Sequence, residues 1–259
     1  MPENLFIALM IILPAIFLAG LVDAIAGGGG LLSVPAYLAA GLSPHHALAN
    51  NKFSSCWGTM LASAKYYQGG LVDPPLALLS AFFALGGSFL GALAVLRVDP
   101  GFLRYLLLFL VPAIALLVLL KPAMGRVDTS REIKSGPKYG TAALAALLIG
   151  FYDGFFGPGT GTFLIFFYTS ALKYDFVRAN ANTKVVNLAS NLAAVTTFLL
   201  KGKVIFLIAF PAALCGIAGN WVGARLVIRS GNKVVRPVFI IVLLILLAKI
   251  VFDLLSGQV

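Results

Sequence analysis

Charge is scarce in this chain. Only 11% of its 259 residues are Asp, Glu, Lys or Arg, less than half of the roughly 25% carried by soluble globular domains, and that shortage excludes a water-soluble fold. Cysteine is scarcer still. Cys56 and Cys215 both sit inside apolar stretches without C-x-x-C spacing, so the sequence writes neither a disulfide framework nor a thiolate metal cluster. The two histidines, His45 and His46, are adjacent, and neighbouring residues of a helix do not share a face that could hold one metal. No H-E-x-x-H occurs, which removes a zinc metalloprotease, and no serine in an apolar stretch has a histidine partner. No catalytic residue, metal site or cofactor is therefore assigned. Nor is there a basic domain or a row of stacking aromatics that would bring the net charge of +10 to a nucleic acid. The basic residues gather at the ends of apolar segments, where they set topology and meet anionic headgroups.

Apolar sequence is what the chain has in abundance. Hydrophobic residues make up 60% of it and the mean hydropathy is +0.99, so the bilayer is the solvent and a direct partner. Eight stretches approach the roughly 20 residues that span a bilayer: 5–26, 53–67 (short), 74–96, 102–120, 139–156, 185–200, 204–228 and 234–255. The one long polar stretch, Lys121 to Lys138, is read as a linker between residues 1–120 and 139–259. The start, Met1-Pro2-Glu3-Asn4 and then apolar residues, has no basic n-region, and Asp23 and four glycines follow where a cleavage site would stand. It reads as an uncleaved first helix.

The two halves are copies. Gly20-Leu21-Val22-Asp23 and the run Gly27 to Gly30 reappear 130 residues later as Gly150-Phe151-Tyr152-Asp153 and Gly157-Pro158-Gly159-Thr160-Gly161. Ala49-Asn50-Asn51-Lys52 aligns with Ala181-Asn182-Thr183-Lys184, and Gly87, Gly91, Arg97 and Arg104 with Gly219, Gly223, Arg229 and Arg236, at an offset of 132. This predicts an all-α polytopic membrane protein of two pseudo-symmetric repeats, each with four full spans and a short or broken helix, at about 31–42 and 162–172. If the short pieces only dip into the membrane, the 19 basic residues split 9 against 10 between its faces. If they cross, the split is 13 against 6, with the linker on the basic, cytoplasmic side. The second arrangement makes the repeats inverted, and it is the one favoured.

Ligand sites in such proteins lie where the repeats meet, marked by matching Gly/Pro breaks. Gly28, Gly29 and Gly30, and Gly159, Thr160 and Gly161, free the backbone at equivalent places and could aim helix N-terminal amides at an anion. Lys52 and Lys184 are the sharper clue, because a lysine at membrane depth must pair, reach the interface or face an aqueous cavity. Flanked by Asn50, Asn51, Asn182 and Thr183, the two cations suit one small oxyanion held between them. Asn187, Ser190 and Asn191, with Ser54 and Ser55, lie on following turns and either extend the polar lining or bond helix to helix. Asp23 and Asp153 are open between two roles: a site for a coupling proton or cation, or partners of Lys184 and Lys52 across the repeat interface. Gly87-x3-Gly91 and Gly219-x3-Gly223 read as close helix packing. His45-His46 reads as a polar turn after Pro44. Arg97, Arg104, Arg229 and Arg236 read as topology anchors at segment ends.

Gly20 to Gly30, Pro35, Ala47-Leu48-Ala49-Asn50-Asn51-Lys52 and the degenerate second copy through Asn182-Thr183-Lys184-Val185-Val186-Asn187 resemble the sulfite exporter TauE/SafE family, over about Leu5 to Phe252. The resemblance implies a bacterial inner-membrane, multi-pass carrier of sulfite, sulfonates, sulfoacetate or related organic anions. It also implies that Asn50, Asn51, Lys52, Asn182, Thr183 and Lys184, with the glycine runs, form the site. Proton coupling through Asp23 or Asp153 and alternating access between the repeats are the expected mechanism. The alternatives are a carrier for another small organic anion, a passive anion channel, and an intramembrane aspartyl protease. The last rests on Phe151-Tyr152-Asp153-Gly154 with Asp23 as second acid, but lacks the companion Gly-x-Gly-Asp element. Oligomeric state is not written in the sequence.

Overall fold

In lipid every backbone N–H and C=O must find its partner inside the protein, and an α-helix satisfies them within one segment. The computed structural model describes residues 5–97, 125 and 127–255, and all regular structure among them is helical. The helices are α1 (Leu5–Ala26), α2 (Gly30–Ala39), α3 (Pro44–Gln68), α4 (Pro74–Val95), α5 (Ser135–Phe155), α6 (Thr160–Ser170), α7 (Phe176–Leu200), α8 (Phe206–Ser230) and α9 (Asn232–Leu255), with a 3-10 turn at Ser130–Glu132. The apolar stretch 102–120, Arg104, and Lys121 and Arg126 of the linker lie outside the described residues.

Local chemistry fixes several starts. Pro44 and Pro74 open α3 and α4 at a position where the missing N–H costs nothing, and the Asp175 carboxylate accepts from Arg178 N at 2.7 Å to cap α7. Among the described helices, α1, α4, α7 and α8 are long and apolar enough to cross a membrane. The apolar stretches 53–67 and 185–200 are only the C-terminal parts of α3 and α7, each of which runs for 25 residues. Hydropathy stops at Lys52 and Lys184, but the amides and lysines before those points are buried inside the bundle, so the helices continue through them. His45 and His46, expected in a turn, form the first turn of α3.

Burial is distributed as lipid demands. Phe6, Phe82 and Leu200 are 70%, 74% and 79% exposed, while Asn50, Asn180, Asn182 and Lys184 are fully enclosed. α4 packs on α5 and α1 on α8, in both cases through glycine. A Cβ on Gly87 would stand 2.1 Å from Leu147 O, and one on Gly219 2.1 Å from Phe17 O. Gly91 and Gly223 meet Phe151 O and Leu21 O at 2.0 and 2.5 Å in the same way. These are equivalent contacts at equivalent positions, the close packing that small-xxx-small spacing permits.

Hydrogen bonds between connecting segments sort them into two ends. At one, Phe176 N donates to Gly125 O and Thr129 N to Lys173 O, both at 3.0 Å, Val177 N donates to Asn232 Oδ1 at 3.2 Å, and Lys138 lies 3.5 Å from Asp73. At the other, His46 Nδ1 lies 2.7 Å from Lys203 O and His45 Nε2 3.4 Å from Val95 O, while Leu5, Leu42 and Ile205 share one apolar cluster. α3 and α7 run between these ends in opposite senses.

Candidate functional site

Each repeat breaks after its first helix. α1 ends at Ala26 and Gly27 turns with φ 76°; α5 ends at Phe155, and Gly157 and Gly159 turn with φ 94° and 84°, values that favour glycine. The two breaks lie against each other. A Cβ on Gly27 would be 2.4 Å from Gly161 C, one on Gly161 2.5 Å from Gly27 Cα, and one on Gly30 3.0 Å from Pro158 Cα. Thr162 Oγ1 donates to Ala26 O at 3.3 Å, and Tyr152 OH to Pro158 O at 2.6 Å. The glycine runs thus bring backbone to backbone where the sequence suggests backbone to ligand. Gly28 faces Val242, and Gly29 faces Asp23 Cβ and Ala19 O.

A lysine–aspartate pair stands at each break and joins one repeat to the other. Lys52 Nζ is 2.7 Å from Asp153 Oδ1 and donates to Asn191 Oδ1 at 3.2 Å. Lys184 Nζ is 2.9 Å from Asp23 Oδ2. Neither lysine reaches the interface: Lys52 is 2% exposed and Lys184 has no exposed surface. The pairs are not equal. Asp153 is enclosed, and its second oxygen accepts from Ser190 Oγ at 2.5 Å; the Asp23 side chain keeps 16% of its surface open. Because each carboxylate is held by its own ammonium, the two do not form the proton-sharing dyad of an aspartyl protease.

One helix connects the pairs. Lys184, Asn187, Ser190 and Asn191 follow one another at helical spacing on α7, so Lys184 at Asp23 and Asn191 at Lys52 are separated by about 10 Å of helix rise. Asn187 lies between them, buried, and neither its Oδ1 nor Thr183 Oγ1 has a partner among the described residues.

The amides of the two copies divide into two kinds. Asn50 donates to His46 O at 2.7 Å and accepts from Ile205 N at 3.3 Å; Asn182 donates to Arg178 O at 2.8 Å and accepts from Asp73 N at 2.9 Å. These equivalent bonds tie each Asn to the residue that precedes the helix following the partner repeat's segment. Asn51 instead faces the interior, where its Oδ1 accepts from Ser33 Oγ at 2.5 Å and Ser55 Oγ at 3.3 Å. A small cavity opens there between α1, α2, α3 and α8, lined by Asp23, Gly29, Ser33, Ser54, Ser55 and Asn220 among others.

Ser33 and Asn220 escape the sequence reading, as does Tyr66, whose hydroxyl donates to Ala24 O at 2.7 Å. For Asn220 a signal exists: an amide beside Gly219, in the middle of an apolar helix. Among the described residues no group of three or more His, Cys, Asp or Glu is placed to hold a metal ion.

The family model described as sulfite exporter TauE/SafE matches residues 12–250 of the chain. A probable membrane transporter protein, YfcA, of Escherichia coli strain K12 is 37% identical over 255 residues, covering 97% of this chain and 94% of that protein. The probable membrane transporter protein ORF9 of a Sinorhizobium species is 36% identical over 253 residues, covering 98% and 96%. A probable membrane transporter protein of Haemophilus influenzae is 35% identical over 237 residues, covering 92% of each chain. No solved structure matches the chain.

Proposed function

Because the chain belongs to the sulfite exporter TauE/SafE family, we propose that it moves a small sulfur-containing oxyanion, of the sulfite, sulfonate or sulfoacetate class, across the bacterial inner membrane as a secondary transporter. The observation that carries this reading is the pair of buried lysine–aspartate bridges at the two breaks, joined by the polar face of α7. As they stand, both ammonium groups are neutralised. An anion that takes either lysine must displace its carboxylate, and a carboxylate left in a dry interior without its cation takes up a proton. Anion and proton then bind together and cross together, through Asp23 or Asp153, without adding net charge to the interior.

Two repeats in inverted orientation give alternating access a simple form, with one bridge opening towards each side in turn. What supports inversion is that sequence-equivalent helices start at opposite ends, α1 beside Ile205 and α5 beside Asp73. The basic residues support it too. Lys52 and Lys184 are buried in bridges and drop out of the topology count, one from each side, which leaves the excess at the linker end intact. Within the site, Lys52, Lys184, Asn51, Thr183 and Asn187 are the donors we assign to the anion. The glycines from Gly28 to Gly30 and Gly159 to Gly161, with Thr160, hold the breaks together, and Asn50 and Asn182 hold the helices.

Flux of sulfite and simple sulfonates into proteoliposomes tests the proposal, with and without a pH gradient. Saturable flux that is lost in Lys52→Ala and in Lys184→Ala is the expected result. Flux unchanged in both variants removes the lysines from the site, and unitary currents in a voltage-clamped bilayer would replace the carrier with a channel.

A further inference from the structure

We infer that the cavity beside Asp23 is a binding site for one water-sized monovalent cation, a sodium or a hydronium ion, and that this half-site, not the one at Asp153, carries the coupling ion. Its coupling role rests on the carrier reading above; its binding does not. The cavity measures about 20 Å³, room for one occupant of water's size.

Among the described residues its polar lining presents mainly oxygen acceptors, with one N–H of the Asn220 amide left over. Ser33 and Ser55 donate to Asn51 Oδ1, at 2.5 and 3.3 Å, with Gly29 O a second acceptor for Ser33 at 3.1 Å, and Ser54 Oγ bonds Asn51 O and the Tyr37 hydroxyl, both at 3.1 Å. Asn220 donates its amide to Gly216 O at 2.9 Å, and its Oδ1, on a residue only 2% exposed, has no partner among the described residues. Such an orphan acceptor demands an explanation. Asp23 offers a carboxylate of which Lys184 engages Oδ2. Hard oxygen acceptors around a water-sized space select a small hard cation. Lys184 already neutralises that carboxylate, so the charge of the cation is balanced when an anion engages Lys184.

The other half-site is built differently at each of these places. The equivalents of Ser33, Ser54 and Asn220 are Phe163, Val186 and Ser88. Phe163 is buried in the apolar core, and both oxygens of Asp153 are taken, by Lys52 and Ser190. The charged and titratable groups facing Asp23 are Lys184 of α7 and the Tyr66 hydroxyl of α3, the latter fixed on Ala24 O. A cation beside Lys184 adds a positive charge that an incoming anion cancels, so each ion strengthens the binding of the other.

Thermal unfolding of the purified protein in detergent tests the site. Sodium chloride is titrated against choline chloride at fixed pH, and pH is then lowered in sodium-free buffer. One arm is expected to raise the unfolding temperature saturably; the sodium arm assigns sodium and the pH arm hydronium. Asn220→Leu, which fills the volume without the acceptor, and Ser54→Ala should each weaken that response at least tenfold, while Ser88→Ala in the other half should not. No response to either cation, or an undiminished response in both cavity variants, overturns the inference. In proteoliposomes the same cation gradient should drive anion uptake by the native protein and not by Asn220→Leu. A cation response without flux of any anion would sink the carrier reading and leave the cation site standing.

Discussion

Lys184 Nζ lies 2.9 Å from Asp23 Oδ2, although the two residues are 161 positions apart in the chain, and the lysine side chain has no exposed surface. A buried pair of this kind stabilises little against an apolar replacement, but removing one partner strands the other as an unpaired charge. Lys184→Met should therefore cost about 3–5 kcal/mol, and Lys184→Met combined with Asp23→Leu should recover most of it while transport stays lost. Denaturation midpoints in detergent read the first effect and anion flux the second. A double variant as unstable as the single one would show that the pair is not energetically coupled.

Two adjacent glycines of α4 should behave in opposite ways. A Cβ on Gly86 meets nothing within 4 Å, whereas one on Gly87 would stand 2.1 Å from Leu147 O. Gly86→Ala should be neutral or stabilising by about 0.5–1 kcal/mol through helix propensity. Gly87→Ala must push α4 off α5 and should cost about 1–3 kcal/mol or more. Equal thermal stability of the two variants would contradict the packing described for these helices.

The repeat, the breaks and the positions of Lys52, Lys184, Asp23 and Asp153 are legible in the sequence because duplication marks them. What duplication does not show is which of two adjacent polar residues turns inward. Asn50 and Asn51 look alike in the chain, yet one binds the backbone of α8's first residue region at Ile205 and the other binds Ser33 and Ser55. The partner of a glycine run is equally hidden. Gly27 and Gly161 touch because two distant breaks meet in space, and no local pattern records that. The asymmetry between the halves is written in single letters, Ser33 against Phe163 and Asn220 against Ser88, but it becomes meaningful only once the cavity is seen.

The division between the amides leads to a kinetic prediction. Asn50→Ala and Asn182→Ala each remove a side chain that satisfies one partly buried backbone N–H, and each should cost about 1 kcal/mol of stability or more with the KM of the folded fraction unchanged. Asn187→Ala removes no side-chain hydrogen bond among the described residues and should leave stability nearly intact while raising KM for the anion several-fold. Thermal denaturation and concentration-dependent flux on the same preparations separate the two patterns. A raised KM in Asn50→Ala would return that residue to the ligand site.

The linker end carries a polar closure centred on Asp73. Tyr174 donates its hydroxyl to Asp73 Oδ2, Lys138 lies 3.5 Å from the same carboxylate, and its ammonium sits 4.7 Å over the Tyr174 ring. Burial, then the bond to Asp73, holds the Tyr174 pKa well above its ordinary value, so the hydroxyl remains an uncharged donor over the working pH range. At the opposite end the equivalents of Asp73 and Lys138 are Ile205 and Ala8, which meet in an apolar cluster. A hydrogen bond to a charged group contributes about 1.5–3 kcal/mol, or roughly tenfold to a hundredfold in a local opening equilibrium. Tyr174→Phe and Asp73→Asn should therefore speed exchange of the Thr129 and Phe176 amides by at least tenfold, because Thr129 N on Lys173 O and Phe176 N on Gly125 O are the bonds the closure protects. Exchange around His46 and Lys203 should stay as it is in the native protein. If both ends loosen together, the bundle opens as one body and the closure does not gate the linker side.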